Sequence, residues 1–281
     1  MRSPAQTAVL AMLLEVAGTP KPGNVDRDRE YPDLRFEHFL AGAIGALPGL
    51  QAAADGVSIG DAFETAIAGM SEQTGGNTQF GTLLLMVPLV GVAASRSGRL
   101  SPDNVADHVE ATTIDDAAAF YRALEHVAVF AGEPPPNATA IDIRRGADAI
   151  PAVRERELSL YEIMALGDDR DGVAAEWTSG FERSFSGAER LGVVDGPVPD
   201  RIAELFIELL ATEPDTHVEK QHGAPVANEV MERAEALLSA EQSAIETFAA
   251  ELIERDINPG TTADITAAAV FIALQQDVIE V

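Results

Sequence analysis

The sequence predicts an all-α protein, a single-domain multi-helix bundle spanning residues 1–281, and three observations predict it. Apolar residues recur three and four positions apart in segment after segment. Alternating β-branched runs are nearly absent, and helix-start residues stand ahead of the periodic stretches. In chain order, Thr7–Val16 sets Ala8, Leu10, Ala11 and Leu14 near one face. Ser58 reads as an N-cap for a helix over 59–73, with Asp61 as an acidic variant of the capping box. The run Phe80–Ala94 is the most apolar of the chain; it is shorter than the ~20 residues a membrane span needs and contains Pro88, so it reads as a buried core helix. Thr113 precedes a helix predicted to run from Ile114 to Ala131, acids first. Asp200–Thr212, Pro225–Leu238 and Ala240–Asp256 repeat the amphipathic pattern. The last helix is expected to begin at Pro259, because proline suits the first helical position. Between these, Gly132–Asn137 reads as a rigid connector and Gly187–Pro199 as a Gly/Pro-rich loop. No repeat or linker divides the chain, and Trp177 is expected in the core.

Charge narrows the function. Forty-six acidic residues against nineteen basic ones leave −27, spread through the amphipathic segments. That is a solvated acidic coat, tolerable where salt shortens the Debye length to roughly 3 Å, and it points to a salt-rich cytoplasm. It excludes a basic stripe for nucleic acid. No targeting segment is expected, since Glu15 interrupts the first apolar run and no small-residue cleavage site follows; a cytoplasmic location is expected. The absence of cysteine removes disulfides, thiolate metal sites and cysteine nucleophiles, so any metal must be oxygen- or histidine-bound, which favours magnesium or manganese. Lysine occurs only at Lys21 and Lys220, both inside unusual segments.

Four such segments carry the candidate chemistry. In Thr19–Leu34, Pro20 and Pro22 stiffen the chain around Lys21, and Gly23 permits close backbone approach. Lys21, Asn24 and Arg27 form a donor-rich arc suited to phosphate oxygens, although a Pro/Gly turn with surface charges explains the segment equally simply. Gly75–Gly81 (GGNTQFG) ends one helix and opens the next. Free N–H groups there, with Asn77 and Thr78, make an anion cradle, or else an ordinary pair of helix caps. Asp215–Gly223 (DTHVEKQHG) spaces Asp215 and Glu219 to share a helix face and a divalent cation, with Lys220 and His222 nearby; His217 and His222 lack zinc-motif spacing. Asn258–Phe271 exposes Gly260, Thr261 and Thr262 at a helix start. It also places Asp264 among apolar neighbours, where a buried acid needs a partner or a metal. Asp168, Asp169 and Asp171 read as a solvated turn, since no closing glutamate completes a calcium loop. Donors and cations at two loops, with acids at three places, are the inventory of a magnesium–nucleotide phosphate site, and they also suit an oxocarbenium-like reaction at a ribose.

TPKPGNVDR, then DLRFEHF, GGNTQFG, DTHV and NPGTTADITAA resemble, in that order, the motifs of triphosphoribosyl-dephospho-coenzyme A synthases, and the resemblance covers Thr19 to the C-terminus. It implies an all-α fold and transfer of the triphosphoribosyl group of ATP to a ribose hydroxyl of dephospho-coenzyme A or a related cofactor precursor, releasing adenine. By position, Lys21, Asn24 and Arg27 stand in the family's PKPG-x-VDR segment. Asp33 matches the acid of HxDM, Asn77 and Thr78 match NTHKG, Asp215 matches DT, and Asp264 matches the acid of PGGSAD. The sequence departs from the family at Tyr31, Leu34, Gln79–Phe80 and Thr261–Thr262. The implied mechanism has Mg²⁺ held by some of Asp33, Asp215, Glu219 and Asp264, with the triphosphate on Lys21, Arg27, Lys220 and the Gly/Thr-rich helix starts. Asp33, Asp215 or Asp264 then stabilises the anomeric carbon or deprotonates the acceptor. Two alternatives stay open: a metal-dependent nucleotide phosphohydrolase, and a non-catalytic nucleotide-binding protein.

Overall fold

The computed structural model describes residues 2–95, 100–134 and 138–281, and among them every regular element is helical. Start signals set the N-termini. Ser3 and Gln6 form a capping box for α1 (Pro4–Ala17). After α2 (Phe36–Gly45) and α3 (Leu47–Ala54), the Ser58 hydroxyl accepts from the Asp61 N–H at 3.3 Å to open α4 (Ile59–Met70). Then follow α5 (Phe80–Ala94) and α6 (Pro102–Glu110). Thr113 and Asp116 cap α7 (Ile114–Ala123) reciprocally, and Asp116 also accepts from Gly60 N at 2.8 Å, fastening α4 to α7. Each such cap is worth about 1 kcal/mol.

α7 ends at Ala123 instead of Ala131. Glu125 and His126 bond back to Arg122 and Ala123 in a tightened last turn, and the Val-Ala-Val-Phe stretch beyond is non-helical. β-Branched valines lose rotamer freedom against a preceding helical turn, so little favours continuing. Of the connector Gly132–Asn137, residues 135–137 lie outside the described residues. Two short 3₁₀ segments (Thr139–Ile141 and Ile143–Ala149) lead to α8 (Ile150–Glu155), α9 (Leu160–Ala165) and α10 (Gly172–Ser179).

Gly187–Pro199 is mostly helix, not loop: α11 (Glu182–Val193) runs through Gly187, and α12 (Val198–Thr212) starts just before Pro199. The glycine serves packing, because a Cβ at Gly187 would lie 2.9 Å from the Ala269 Cβ. α13 (Thr216–His222), α14 (Ala224–Leu237) and α15 (Gln242–Glu254) follow. α16 (Gly260–Gln275) has Pro259 as its N-cap, so the helix begins one residue after the expected start.

α5 and α16 are buried on nearly every side, and α1, α11 and α12 pack around α16 while α3, α4 and α10 pack around α5. A helix without a polar face belongs in the middle of a bundle. Trp177 is 1% exposed and donates from Nε1 to the Leu84 carbonyl at 3.2 Å. Opposite faces of α12 serve two cores: Ile202, Leu205 and Leu209 join the main one, while Phe206 and Leu210 pack with α14 and α15. No helix among the described residues is long and apolar enough to cross a membrane. The N-terminal ends of α5 and α16 open together on one cleft.

Candidate functional site

The cleft has a volume of about 560 Å³ and is walled by the starts of α5, α10, α13 and α16, the end of α1, and the Val129–Pro134 segment. Roughly 300–1,000 Å³ is usual for a small-molecule site. Its polar end is built around Asp264, which opens the second turn of α16 and not the first. The Thr82 hydroxyl donates to Asp264 Oδ1 at 2.5 Å, and Oδ2 lies over Gly81, where an added Cβ would come within 2.1 Å. No other hydrogen bond reaches this carboxyl among the described residues. Burial pushes its pKa up to about 8, opposed by the Thr82 bond and reinforced by the negative charges of Glu15, Asp215 and Asp171.

Glu15, from the last turn of α1, lines the same end. It is ion-paired with the fully buried Lys21, which also donates to Asn24 Oδ1 at 2.9 Å, and Asn24 donates to Asn258 at 2.9 Å. Burial raises the Glu15 pKa against the pull of Lys21. The TPKPGN loop is therefore stitched to the NPG loop. Gly23, at φ +71°, completes the seam: an added Cβ would sit 2.3 Å from the Ile257 carbonyl oxygen, and Tyr31 donates to the Gly23 carbonyl at 2.6 Å.

Asp215 has a different setting. As N-cap of α13 it accepts from His217 N and Val218 N through Oδ1, at 2.9 and 3.0 Å. Through Oδ2 it accepts from the N–H and hydroxyl of Thr262, at 2.8 and 2.7 Å. It is buried and its acceptor capacity is spent on joining two helix starts. Thr216 and Thr261 extend the joint, hydroxyl to hydroxyl at 3.0 Å, and Thr216 Oγ1 accepts from Gly172 N at 3.0 Å. On the next turn Lys220 pairs with Asp171, which also caps α10. His217 lies between Gly260 and the Phe130 ring, and burial lowers its pKa.

Of the residues singled out from sequence, Asn24, Asn77, Thr78, Glu219, Lys220, Gly260, Thr261 and Asp264 line the cleft. Lys21, Gly23, Asp215 and Thr262 lie behind its wall, while Arg27 and Asp33 are exposed on the loop after Gly23 and do not line it. Asn77 acts locally, its Oδ1 accepting from Phe80 N at 3.1 Å as a cap for α5. Asp215 and Glu219 do not present a shared face, because Asp215 is outside the helix that Glu219 is in. The GDDRDG turn is not merely solvated: Asp169, Arg170 and Asp171 all line the cleft. Sequence reasoning also missed Glu15, Gly81, Thr82 and His217. Glu15 did leave a signal, as an acid interrupting an apolar helix.

Among the described residues no three of His, Asp and Glu gather as a preformed metal site. The lining nevertheless fits a hard cation arriving with a polyphosphate. It offers Glu15, Asp169, Glu219 and Asp264 as oxygen donors, and Mg²⁺ ordinarily takes only one or two carboxylates beside substrate phosphates.

A family model described as CitG, ATP:dephospho-CoA triphosphoribosyl transferase, matches residues 1–280. Among solved structures, a crystal structure from Archaeoglobus fulgidus, of a protein provisionally described as a triphosphoribosyl-dephospho-coA synthase, aligns with a TM-score of 0.69. At 24% identity it covers 84% of this chain and 98% of its own, so the two share a fold. No curated protein matches the chain.

Proposed function

The chain belongs to the CitG family of ATP:dephospho-CoA triphosphoribosyl transferases, and we propose that its transfer reaction takes place at the polar end of the cleft with Asp264 as the base. The observation that carries this is the under-bonded, pKa-raised Asp264 carboxyl, held between two helix starts in the cleft. A base poised near the operating pH contributes about 10²–10⁴ in rate. In the step, an acceptor ribose hydroxyl oxygen bonds to C1′ of the ATP ribose and gives its proton to Asp264. The C1′–N9 bond breaks, and adenine leaves with the electron pair and takes a proton from solvent.

Lys220 and Arg170 supply positive charge for the triphosphate, and Thr261 adds donors at the positive end of α16. Mg²⁺ would be held by Glu219 together with triphosphate oxygens, and would neutralise phosphate charge. Lys21, Asn24, Asp215 and Thr262 act by positioning, since they fasten the loops and helix starts that carry Asp264. The acidic coat fits a salt-rich cytoplasm.

The test is adenine release from ATP, Mg²⁺ and dephospho-CoA, run from dilute buffer to molar KCl. Free adenine formed only with acceptor, and faster in high salt, is expected. Phosphate released with adenine still on the ribose would mean a phosphohydrolase. ATP-dependent thermal stabilisation without turnover would mean a binding protein.

A further inference from the structure

The start of α5 holds two buried oxygens without a partner. Among the described residues no hydrogen bond reaches the Thr78 hydroxyl or the side-chain carbonyl of Gln79, although Gln79 is only 3% exposed. Both oxygens lie against α2, where an added Cβ at Gly42 would come within 2.6 Å of Thr78 Oγ1 and 3.2 Å of Gln79 Oε1. A buried polar group left unpaired costs stability, and folded proteins keep few of them. Thr78 and Gln79 also line the cleft. The Gln79 side chain does not cap α5, since Asn77 does that. With no hydrogen bond holding its carboxamide, turning the amide edge toward a ligand loses none.

The wall around this amide is aromatic. Phe39 stands one turn before Gly42 on α2, Phe80 follows Gln79, and the Phe120 ring lies 6.1 Å from that of Phe80; all three line the cleft and are almost fully buried. Flat, uncharged groups pack well on such walls. One turn further along α5, Thr82 holds Asp264. A carboxamide presents an acceptor and a donor on one edge, which matches a planar ring that sets an amine beside a ring nitrogen.

Resting on the transferase reading above, we propose that Gln79 is a further catalytic residue that grips the departing base, Oε1 accepting from its exocyclic amine and Nε2 donating to the neighbouring ring nitrogen N7. The groups already placed leave one charge unmet. Asp264 takes the acceptor's proton, and Lys220 and Arg170 face the triphosphate. When C1′–N9 breaks, the electron pair stays on the base and spreads over its ring nitrogens. A donor aimed at one of them binds more strongly in that transition state than before it, which is the condition for raising the rate. No proton crosses this contact; the base still takes its proton from solvent. A phosphate cannot replace the base, because it brings no donor to Oε1.

Calorimetry with free adenine and with hypoxanthine, which has an oxygen where adenine has its amine, tests the contact without turnover. The native protein should bind adenine at least about tenfold more tightly, and Gln79→Met should bind the two alike. In turnover, Gln79→Met should lower kcat with ATP by about ten- to hundredfold and leave KM for dephospho-CoA unchanged. Replacing N7 of ATP by carbon should slow the native protein at least about tenfold more than it slows the variant. The thermal midpoint of the variant should hold or rise, because the substitution removes an unpaired buried group. Equal or absent binding of the two bases by the native protein, an equal N7 effect in both proteins, or a change confined to KM for dephospho-CoA would each overturn the proposal. Absence of adenine release by the native protein would instead strike the transferase reading, while the calorimetry would still decide the contact.

Discussion

Two carboxylates stand at neighbouring helix starts and have opposite settings. Asp215 accepts four hydrogen bonds from α13 and α16 and is closed off from the cleft, whereas Asp264 accepts one, from Thr82, and faces the cleft. A carboxylate with its lone pairs filled by amide and hydroxyl donors has nothing left to offer a substrate. One starved of donors in a desolvated position resists ionisation, and that is what a proton acceptor near neutral pH requires. The same residue type near a helix start is architecture in one case, as the N-cap Asp215, and chemistry in the other, as Asp264 one turn into α16, and the difference is the number of donors.

The largest expected effect breaks the pair apart. Asp264→Asn should lower kcat for adenine release by about 10³, with KM for ATP little changed. It should not unfold the protein. Because the folded carboxyl binds its proton more tightly than the unfolded one, stability is lost as pH rises from the ordinary carboxylate range through about 8, and the substitution removes that loss. At pH 8.5 the variant should therefore be at least as stable as the native chain in urea melts. Asp215→Asn should do the reverse, costing about 2–4 kcal/mol through unpaired donors at two helix starts while the surviving folded fraction keeps its kcat. If the two variants behave alike, the contrast is wrong.

The fold was largely legible because helical periodicity and caps are local, and Ser58 and Thr113 cap where they were expected to. Gly187 misled because a glycine used for helix contact looks, in sequence, like one used for a turn. The site was legible only as segments. Asp264 stood out as an acid among apolar neighbours. What Asp215 and Asp33 do depends on partners 47 residues away or on facing solvent, and neither is written near them. Asp171 was hidden by its acidic neighbours, which made a capping, lysine-bound acid look like part of a solvated turn.

The two lysines sharpen the same comparison with a smaller effect. Lys21 is fully buried against Glu15, while the Lys220 side chain is 17% exposed in the cleft beside Asp171. Lys21→Met leaves a buried glutamate without its partner, and breaking such a pair costs about 3–5 kcal/mol; the loss should appear in the melting curve. Lys220→Met should leave the melting curve nearly unchanged and raise KM for ATP about tenfold, the size of one charge-assisted phosphate contact. A Lys220 variant that melts early with an unaltered KM would move that residue to the structural side.

The mildest test leaves Asp264 in place and changes its one donor. The Thr82 hydroxyl favours the ionised form of Asp264, so its removal in Thr82→Val must push the carboxyl pKa above about 8. Turnover that needs the carboxylate rises with pH along an acid limb near that value, and in the variant the limb should move to higher pH. The plateau rate above it should be largely kept. Threonine and valine have nearly the same shape, so packing around this buried position is conserved. At pH 7 the variant should turn over about three- to tenfold more slowly, because a more tightly held proton leaves that much less of the carboxyl ionised, and the deficit should shrink as pH rises. A deficit that stays constant with pH would mean that Thr82 orients the carboxyl but does not tune it. A limb that moves to lower pH would show that a donor was not what held Asp264 back from still stronger protonation, and the contrast with Asp215 would lose its physical basis.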